Sequence, residues 1–317
     1  MQSVRQGSIH LFRLAGVEVS LHWSWFLVAA YQIQGRRAGY TSVVWKIFEY
    51  LALFLIVLMH EFGHAMACRQ VGGTANHILL WPFGGVAYVN PPQRPGATLW
   101  SIAAGPLVNV VLAPILYAAA MAGHSLGWAD TMPNAAHFLW AVFVIDVALL
   151  VFNILPIYPL DGGQILRSLL WFVVGKGRSL LIATVLGFVG IVGFIGFAIW
   201  SRQLWLGAIS IFLLMNCWGG LQHARHLLRM AKLPRRQGYV CPSCRTAPPL
   251  GEYWQCGACG QGFDTFATEA VCPHCAATFS TTRCLDCNEQ FPMNEWVVRD
   301  FAGVGTVSGY PPPYPPR

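Results

Sequence analysis

Charged side chains are scarce in this chain. Only 10% of the 317 residues are Asp, Glu, Lys or Arg, while 55% are hydrophobic. A soluble globular domain carries roughly 25% charged residues, so the composition excludes a soluble fold for most of the chain and predicts an α-helical polytopic membrane protein. Because an acid held in hydrocarbon is costly, the few acids there are candidates for function. Between residues 50 and 221 these are Glu61, Asp130, Asp146 and Asp161.

Long apolar runs predict about six membrane spans, since a helix needs ~20 residues to cross a bilayer. The runs lie at 21–34, 44–70, 99–122, 137–155, 180–200 and 204–221. The first run is short, but it lacks the small-residue cleavage site of a signal peptide. Trp23 and Trp25 beside it suit a membrane interface, so we expect an anchor.

A strand-like loop is expected between the second and third spans. Residues 77–89 form two β-prone runs separated by Gly84 and Gly85, which is typical of a hairpin. Strand edges at membrane depth are tolerated only where protein or a wet cavity covers them. We therefore place this loop at the cytoplasmic lip of the membrane.

The distribution of Lys and Arg predicts the orientation. With the N-terminus in the cytoplasm, twelve of these residues flank the spans inside and four (Arg36, Arg37, Lys46 and Arg202) lie outside. Both termini are then cytoplasmic, in a multi-pass protein whose active site opens toward the cytoplasm. The net charge of +7 is mostly a consequence of this topology and does not indicate a nucleic-acid partner.

The second span contains the pattern His-Glu-x-x-His, formed by His60, Glu61 and His64. Positions i and i+4 share a helix face, so both imidazoles can reach one zinc ion while Glu61 touches a water molecule on it. Three ionisable groups in one turn of a membrane helix are hard to explain by packing. The pattern predicts a catalytic zinc site within the bilayer.

A catalytic zinc usually has three protein ligands, so a third must come from elsewhere. Asp161 is the best candidate, because two prolines and two glycines between Asn153 and Gly163 interrupt the end of the fourth span. The helix must unwind there and can turn a carboxylate toward a neighbour. A helix-ending turn with a capping Asp would also explain the prolines and glycines, but not Asn153.

These residues resemble the site-2 proteases, a family of intramembrane zinc metalloproteases. His-Glu-x-x-His and a later Asn-x-x-Pro-x-x-Pro-Leu-Asp-Gly segment, here residues 153–162, stand without departure. The resemblance covers roughly residues 8–222 and is closest to the prokaryotic branch of sporulation-factor proteases. It includes Ala104 to Asn109 and a segment similar to the family's substrate loop, formed by Phe83, Gly84 and Gly85. A nucleotide-binding regulatory pair of domains and a peptide-binding insert are missing, and a cysteine-rich tail is added.

The resemblance and the motif together imply zinc-assisted peptide hydrolysis in or near the transmembrane segments of membrane-protein substrates. His60, His64 and Asp161 would hold zinc, and Glu61 would take a proton from water and pass it to the leaving amine. Asn153 would orient the substrate or stabilise the oxyanion, with Asn109 as a second candidate for substrate binding. Asp146 is either a partner that supports this site or simply an Asp bonded within the bundle.

Eight cysteines near the C-terminus form four Cys-x-x-Cys pairs. They predict two structural tetrathiolate zinc sites in small ribbons, because a cytoplasmic location favours metal sites over disulfides. Thioredoxin-like redox activity would need a strand-helix unit that is missing. The sequence does not determine which two Cys-x-x-Cys pairs share a zinc site. The four pairs are Cys241 with Cys244, Cys256 with Cys259, Cys272 with Cys275, and Cys284 with Cys287.

The composition predicts three parts of the chain: a membrane protease domain at 1–230, tandem zinc ribbons at 238–290 and a flexible Pro-rich tail at 291–317. Residues 238–317 contain four Arg, no Lys and seven acids, which disfavours nucleic-acid binding. A protein partner or a substrate recruited by the ribbons is the better hypothesis.

Two other functions were weighed against the protease. One is an inactive membrane scaffold that recruits partners through its ribbons, but the intact Glu61, His60, His64 and Asp161 argue against it. The other is a metal transporter, which would be expected to show internal repeats and broken helices in corresponding halves. Neither feature occurs in the sequence.

Overall fold

The computed structural model describes residues 7–27, 29–30, 39–81 and 84–298. The chain divides into two compact units, Met1–Lys232 and Leu233–Arg317. The first contains the long apolar helices and the second contains the Cys-x-x-Cys pairs.

Helices make up most of the first unit, and four of them are long and apolar enough to cross a membrane. The four are α1, α2, α4 and α6, which match the predicted spans at 44–70, 99–122, 137–155 and 180–200. The predicted span at 204–221 is helical within α7, which is not one of the four. The helices are α1 (Val43–Gln70), α2 (Pro95–Ser125), α3 (Trp128–Thr131), α4 (Pro133–Ile154), α5 (Asp161–Val174), α6 (Lys176–Ser201) and α7 (Leu204–Ala231).

A four-stranded sheet accompanies these helices, in the order β1-β2-β3-β4. The outer pairs are antiparallel and β2 runs parallel to β3. The predicted hairpin at 77–89 is confirmed as β3 and β4. The predicted span at 21–34 is wrong at its start, because Leu21 and His22 belong to β2. The strands are β1 (Ser8–Leu14), β2 (Val17–His22), β3 (Thr74–Trp81) and β4 (Gly84–Asn90).

The sheet packs its apolar side chains against α1. Val17 and Val19 of β2 and Ile78 of β3 are fully buried, in one core with Ala65 and Cys68 of α1. Alternate residues of a strand point to the same face, which explains why Val17 and Val19 are buried together. This packing fixes the part of α1 that carries the His-Glu-x-x-His pattern.

The chain breaks its helical path between α4 and α5, as the prolines and glycines of this segment predict. Helix α4 ends at Ile154 and α5 begins at Asp161, with a cis peptide between Tyr158 and Pro159. The turn is tight, since a Cβ added at Gly162 would lie 2.0 Å from the Ile154 carbonyl oxygen. Only glycine can occupy this position, and Asp161 is thereby held at the first position of α5.

The second unit consists of two short hairpins and one helical turn around one core. Trp254, Phe263, Phe266 and Trp296 form this core together with cysteines of all four Cys-x-x-Cys pairs. Trp296 is 1% exposed, although it belongs to the segment expected to be a flexible tail. The elements are β5 (Trp254–Gln255), β6 (Gly262–Phe263), β7 (Thr282–Arg283), β8 (Gln290–Phe291) and α8 (Met293–Trp296).

Candidate active site and metal centres

Three predicted ligands meet between α1 and the start of α5. His60 Nε2 lies 3.0 Å from Asp161 Oδ2, and His64 Nε2 lies 3.3 Å from the same oxygen. The two Nε2 atoms are 3.1 Å apart. The i, i+4 spacing on α1 aligns the two rings, and the break after α4 brings in the carboxylate, as the sequence predicted.

The donor set fits a zinc ion. One ligand atom from each of His60, His64 and Asp161 lies within 4.8 Å of the others, so a single ion can contact all three. Two imidazole nitrogens and one carboxylate oxygen are ligands that zinc prefers, and three protein ligands leave a position for water. Each of these side chains is mostly withdrawn from solvent, with side-chain exposures of 4%, 7% and 13%.

The opposite ring nitrogens are held by hydrogen bonds. His64 Nδ1 donates to the Ser101 carbonyl oxygen at 2.9 Å, and His60 Nδ1 donates to Asn109 Oδ1 at 2.7 Å. With the proton on Nδ1, each Nε2 lone pair is directed at the metal position. Such partners fix the ring orientation of metal-binding histidines.

Asn109 and Asp146 extend the hydrogen-bond chain from His60. Asn109 Nδ2 donates to Asp146 Oδ1 at 2.7 Å, and both residues are 0% exposed. The second oxygen of Asp146, Oδ2, is buried and has no hydrogen-bond partner among the described residues. Asp146 therefore supports the site through Asn109, which resolves the two alternatives for its role. Asn109, predicted to bind substrate, is not among the residues that line the cavity described below.

Gly105 lets α2 approach the two histidines. A Cβ at this position would lie 2.2 Å from His64 Nε2 and 2.8 Å from His60 Nε2. The sequence analysis gave Gly105 no role of its own. Its position four residues before Asn109, and so on the same helix face, is the signal that could have identified it.

Strand β4 covers Glu61. The Ala87 N–H donates to Glu61 Oε2 at 2.9 Å, and a Cβ at Gly85 would lie 2.2 Å from Glu61 Cγ. Gly85, predicted to belong to the substrate loop, thus lies against the Glu61 carboxylate, and Gly84 lines the same cavity. Phe83 lies outside the described residues.

A cavity of about 360 Å³ contains the predicted site. His60, Glu61, His64 and Asp161 line it together with Asn153, Gly84 and Gly85. The sequence analysis missed two further polar lining residues, Gln164 and Asn216. Gln164 follows Asp161 by three residues and so shares its face of α5, a spacing that could have identified it.

The eight tail cysteines form two nested groups. Cys241 and Cys244 join Cys284 and Cys287, while Cys256 and Cys259 join Cys272 and Cys275. Opposing sulfurs lie 3.6 to 3.7 Å apart, far more than the ~2.05 Å of a disulfide bond. The arrangement fits two closed tetrathiolate zinc sites.

Cys256 shows how the ribbon backbone favours the ligand form of a thiol. Backbone hydrogen bonds from Cys259 and Ala258 lower the pKa of the Cys256 thiol to about 6. The thiolate is the form that binds metal.

The geometry defines a class of protein: a helical membrane protein with a His, His, Asp metal site and an adjacent Glu inside its apolar helices. Residues 48–197 match the model of peptidase family M50. The match lies within the unit Met1–Lys232 and covers most of it.

Zinc metalloprotease MJ0392 of Methanocaldococcus jannaschii is 30% identical over 205 residues, covering 65% of this chain and 58% of that protein. Rip3 of Mycobacterium tuberculosis is 31% identical over 175 residues, covering 52% of this chain and 44% of that protein. The solved site-2 protease from Methanocaldococcus jannaschii matches with a TM-score of 0.50 and 26% identity, over 68% of this chain and 95% of that one. The chain thus spans less than two thirds of the length of these two curated relatives.

Proposed function

We propose that this chain is an intramembrane zinc metalloprotease that hydrolyses peptide bonds within or near transmembrane segments of membrane proteins. The observation that carries the proposal is the position of Glu61, whose carboxylate lines the same cavity as His60, His64 and Asp161. Both histidines and Glu61 lie on α1, which is apolar and long enough to span a bilayer. A cavity with polar groups at this depth of the bilayer serves chemistry on membrane substrates.

Each residue of the site has a distinct role in the proposed reaction. When bound, zinc polarises a carbonyl and lowers the pKa of water to about 7. His60, His64 and Asp161 hold the ion, and Glu61 accepts the proton from the attacking water and passes it to the leaving amine. Asn153 lines the cavity and orients the substrate or donates to its developing oxyanion.

The contact with β4 prepares Glu61 for this role. The Ala87 N–H occupies Oε2, which leaves Oε1 available to accept the proton. A carboxylate held in one orientation loses less entropy when it accepts the proton. Gly84 and Gly85 line the cavity on the β4 side. Together with Phe83 they bind the substrate backbone in our proposal.

The proposed topology has both termini in the cytoplasm and the cavity opening on that side. The excess of Lys and Arg in the connections on that side supports it. Cysteine-accessibility labelling can check this orientation: a label on residue 130 that reacts only from the cytoplasmic side contradicts it.

The cysteine unit has a separate role in this proposal. Its two closed tetrathiolate groups leave no position for water, so they stabilise a fold and do not catalyse. We assign the membrane domain to residues 1–230 and the ribbons to 238–298, because β8 and α8 belong to the core that was expected to end at 290. A protein partner or the substrate binds at the ribbons in this proposal. Four Arg and seven acids in residues 238–317 favour a protein over a nucleic acid.

Comparison of Glu61→Gln with wild-type protein tests the activity. The variant should abolish the appearance of membrane-protein fragments in cells, as measured by proteomics, while the purified protein keeps its zinc because all three ligands remain. Asp130→Asn is the matched control, since it removes a carboxylate from the exposed helix α3. Wild-type fragment levels in Glu61→Gln cells contradict the proposal.

A further inference from the structure

A cluster of cationic side chains lies where α5, α6 and α7 come together. Arg167 Cζ is 6.0 Å from the centre of the Trp171 ring, and Lys176 Nζ is 5.7 Å from the same ring. His223 of α7 lies within electrostatic range of both Arg167 and Lys176. Two cations thus lie against a single tryptophan, and a histidine of the neighbouring helix is within electrostatic range of both.

Arg167 is the member of the cluster that most requires a ligand. Its Nε is buried and has no hydrogen-bond partner among the described residues. A guanidinium stays charged in proteins, and a buried charge without a partner is costly. The other polar group in electrostatic range, besides the cations, is Tyr158, which offers a hydroxyl and no charge.

Apart from Asp161, helices α5, α6 and α7 supply no acidic side chain to this cluster. Residues 162–232 contain no Asp or Glu, and Asp161 is engaged with His60 and His64. Arg178 adds another cation to the first turn of α6. Gly175 has no side chain to cap the first turn of that helix, and the helix dipole adds partial positive charge there.

The position of the cluster identifies the source of the anion. Lys176 is the first residue of α6, a helix long and apolar enough to span the membrane, so the cluster lies at a helix end. Lipid phosphates occupy that level of a bilayer, and Trp is enriched there. Basic groups between membrane helices are a recurrent arrangement for binding lipid headgroups.

We propose that Arg167, Lys176 and His223 bind the phosphate of an anionic phospholipid, with the Arg167 guanidinium making the principal contact. The guanidinium donates two hydrogen bonds to phosphate oxygens, as Arg does in other phosphate sites. Lys176 of α6 adds a charge, and His223 of α7 adds a ring N–H donor. The Trp171 ring packs against the lipid below the headgroup.

Native mass spectrometry of the full chain in uncharged detergent tests the proposal. Short-chain phosphatidylglycerol should bind more tightly than short-chain phosphatidylcholine. Arg167→Gln should weaken phosphatidylglycerol binding about tenfold or more, since hydrogen bonds to charged groups contribute ~1.5–3 kcal/mol. Arg225→Gln is the matched control, because Arg225 is exposed on α7 and lies two positions from His223, on another face.

The double variant Lys176→Gln with His223→Gln keeps the test decisive if Arg167→Gln does not fold. It should also lose the preference for phosphatidylglycerol, with an unchanged thermal unfolding profile. Equal binding of the two lipids by wild-type protein, or unchanged binding by both site variants, overturns the proposal. Displacement of the lipid by millimolar inorganic phosphate, or by an acidic peptide at similar concentration, assigns the site to that ligand and overturns the lipid.

Discussion

His60 depends on a side chain that never enters the cavity. Asn109 accepts a hydrogen bond from His60 at Oδ1 and donates one from Nδ2 to Asp146. These two contacts fix the orientation of the Asn109 amide, so that Oδ1 faces the His60 ring. The amide transmits the orientation imposed by Asp146 to the metal ligand. A contribution to metal affinity follows, without any contact with the substrate.

Asn109→Ala should therefore weaken zinc binding by about 10- to 100-fold, the usual effect of removing a partner of a metal-binding histidine. Competition with a zinc chelator on the purified protein measures it. Asn134→Ala is the control, because Asn134 bonds the exposed Thr41 on another part of the bundle. Unchanged affinity with lowered activity would instead return Asn109 to the substrate-binding role expected from the sequence.

The close approach of Gly105 to the two histidines leads to a second prediction about a single residue. Gly105→Ala should remove the zinc of the membrane site, with a loss of affinity of at least about 100-fold, because the added methyl group occupies the space of His64 Nε2. Metal analysis should find two zinc ions per chain in place of the three that the ligand groups can hold.

Gly193→Ala makes the matched change in α6, where an added Cβ meets nothing within 4 Å. It should retain all three ions. Full occupancy in Gly105→Ala would mean that α2 can move away from α1, so that the close approach is not required for metal binding.

Secondary-structure elements differ in how readily the sequence reveals them. Helix α1 and the β3–β4 hairpin depend on local patterns, namely an apolar run and two β-prone segments around Gly84 and Gly85, and both were predicted. Strands β1 and β2 were missed although they form a local hairpin around Gly16. Apolar residues after His22 continue the run into the predicted span, and the parallel partner of β2 is β3, more than fifty residues away along the chain. Pairing over such a distance leaves no local signal.

The active site was largely predictable because most of its residues also follow local sequence patterns. His60, Glu61 and His64 follow helical spacing, and Asp161 stands at a helix break marked by prolines and glycines. Gln164 and Asn216 were missed because each is a single polar residue in an apolar run. The pairing of the cysteine pairs depends on which hairpins face each other, and spacing alone does not determine it.

The nested pairing of the cysteines can be tested with two double variants. Cys241→Ser with Cys284→Ser changes two ligands of the same group, so one tail zinc should remain. Cys241→Ser with Cys272→Ser changes one ligand in each group, so both tail sites should release zinc to a chelator. Zinc counts on the full chain measure both results. Loss of both tail zinc ions in the first double variant, with one retained in the second, would indicate a different pairing of the cysteines.

At the scale of the whole molecule, the chain divides after Lys232, and the proposed function assigns chemistry to the first unit and recruitment to the second. Truncation after Lys232 should change the rate of cleavage of a generic helix-destabilised substrate by no more than about twofold, because His60, Glu61, His64 and Asp161 all precede the cut. A tenfold change in kcat would require a change of ~1.4 kcal/mol in the activation free energy. Cleavage of the physiological substrate should fall. Cleavage assays with both substrates, on truncated protein that retains one zinc, measure the effect.

The loss of both activities in such a zinc-loaded truncated protein would show that the cysteine unit completes or controls the site. The full chain carrying Cys241→Ser with Cys284→Ser is a suitable companion, because it keeps the whole sequence and changes only one tail metal group.

The nesting of the cysteine groups also determines the order in which the two metal sites can close during synthesis. The inner group is complete once Cys275 has left the ribosome, whereas Cys241 and Cys244 must wait for Cys284 and Cys287. Closing the inner group first shortens the flexible path between the outer pairs, which reduces the entropy lost when they meet. The outer site is therefore the last to close, at a moment when all membrane helices are already made.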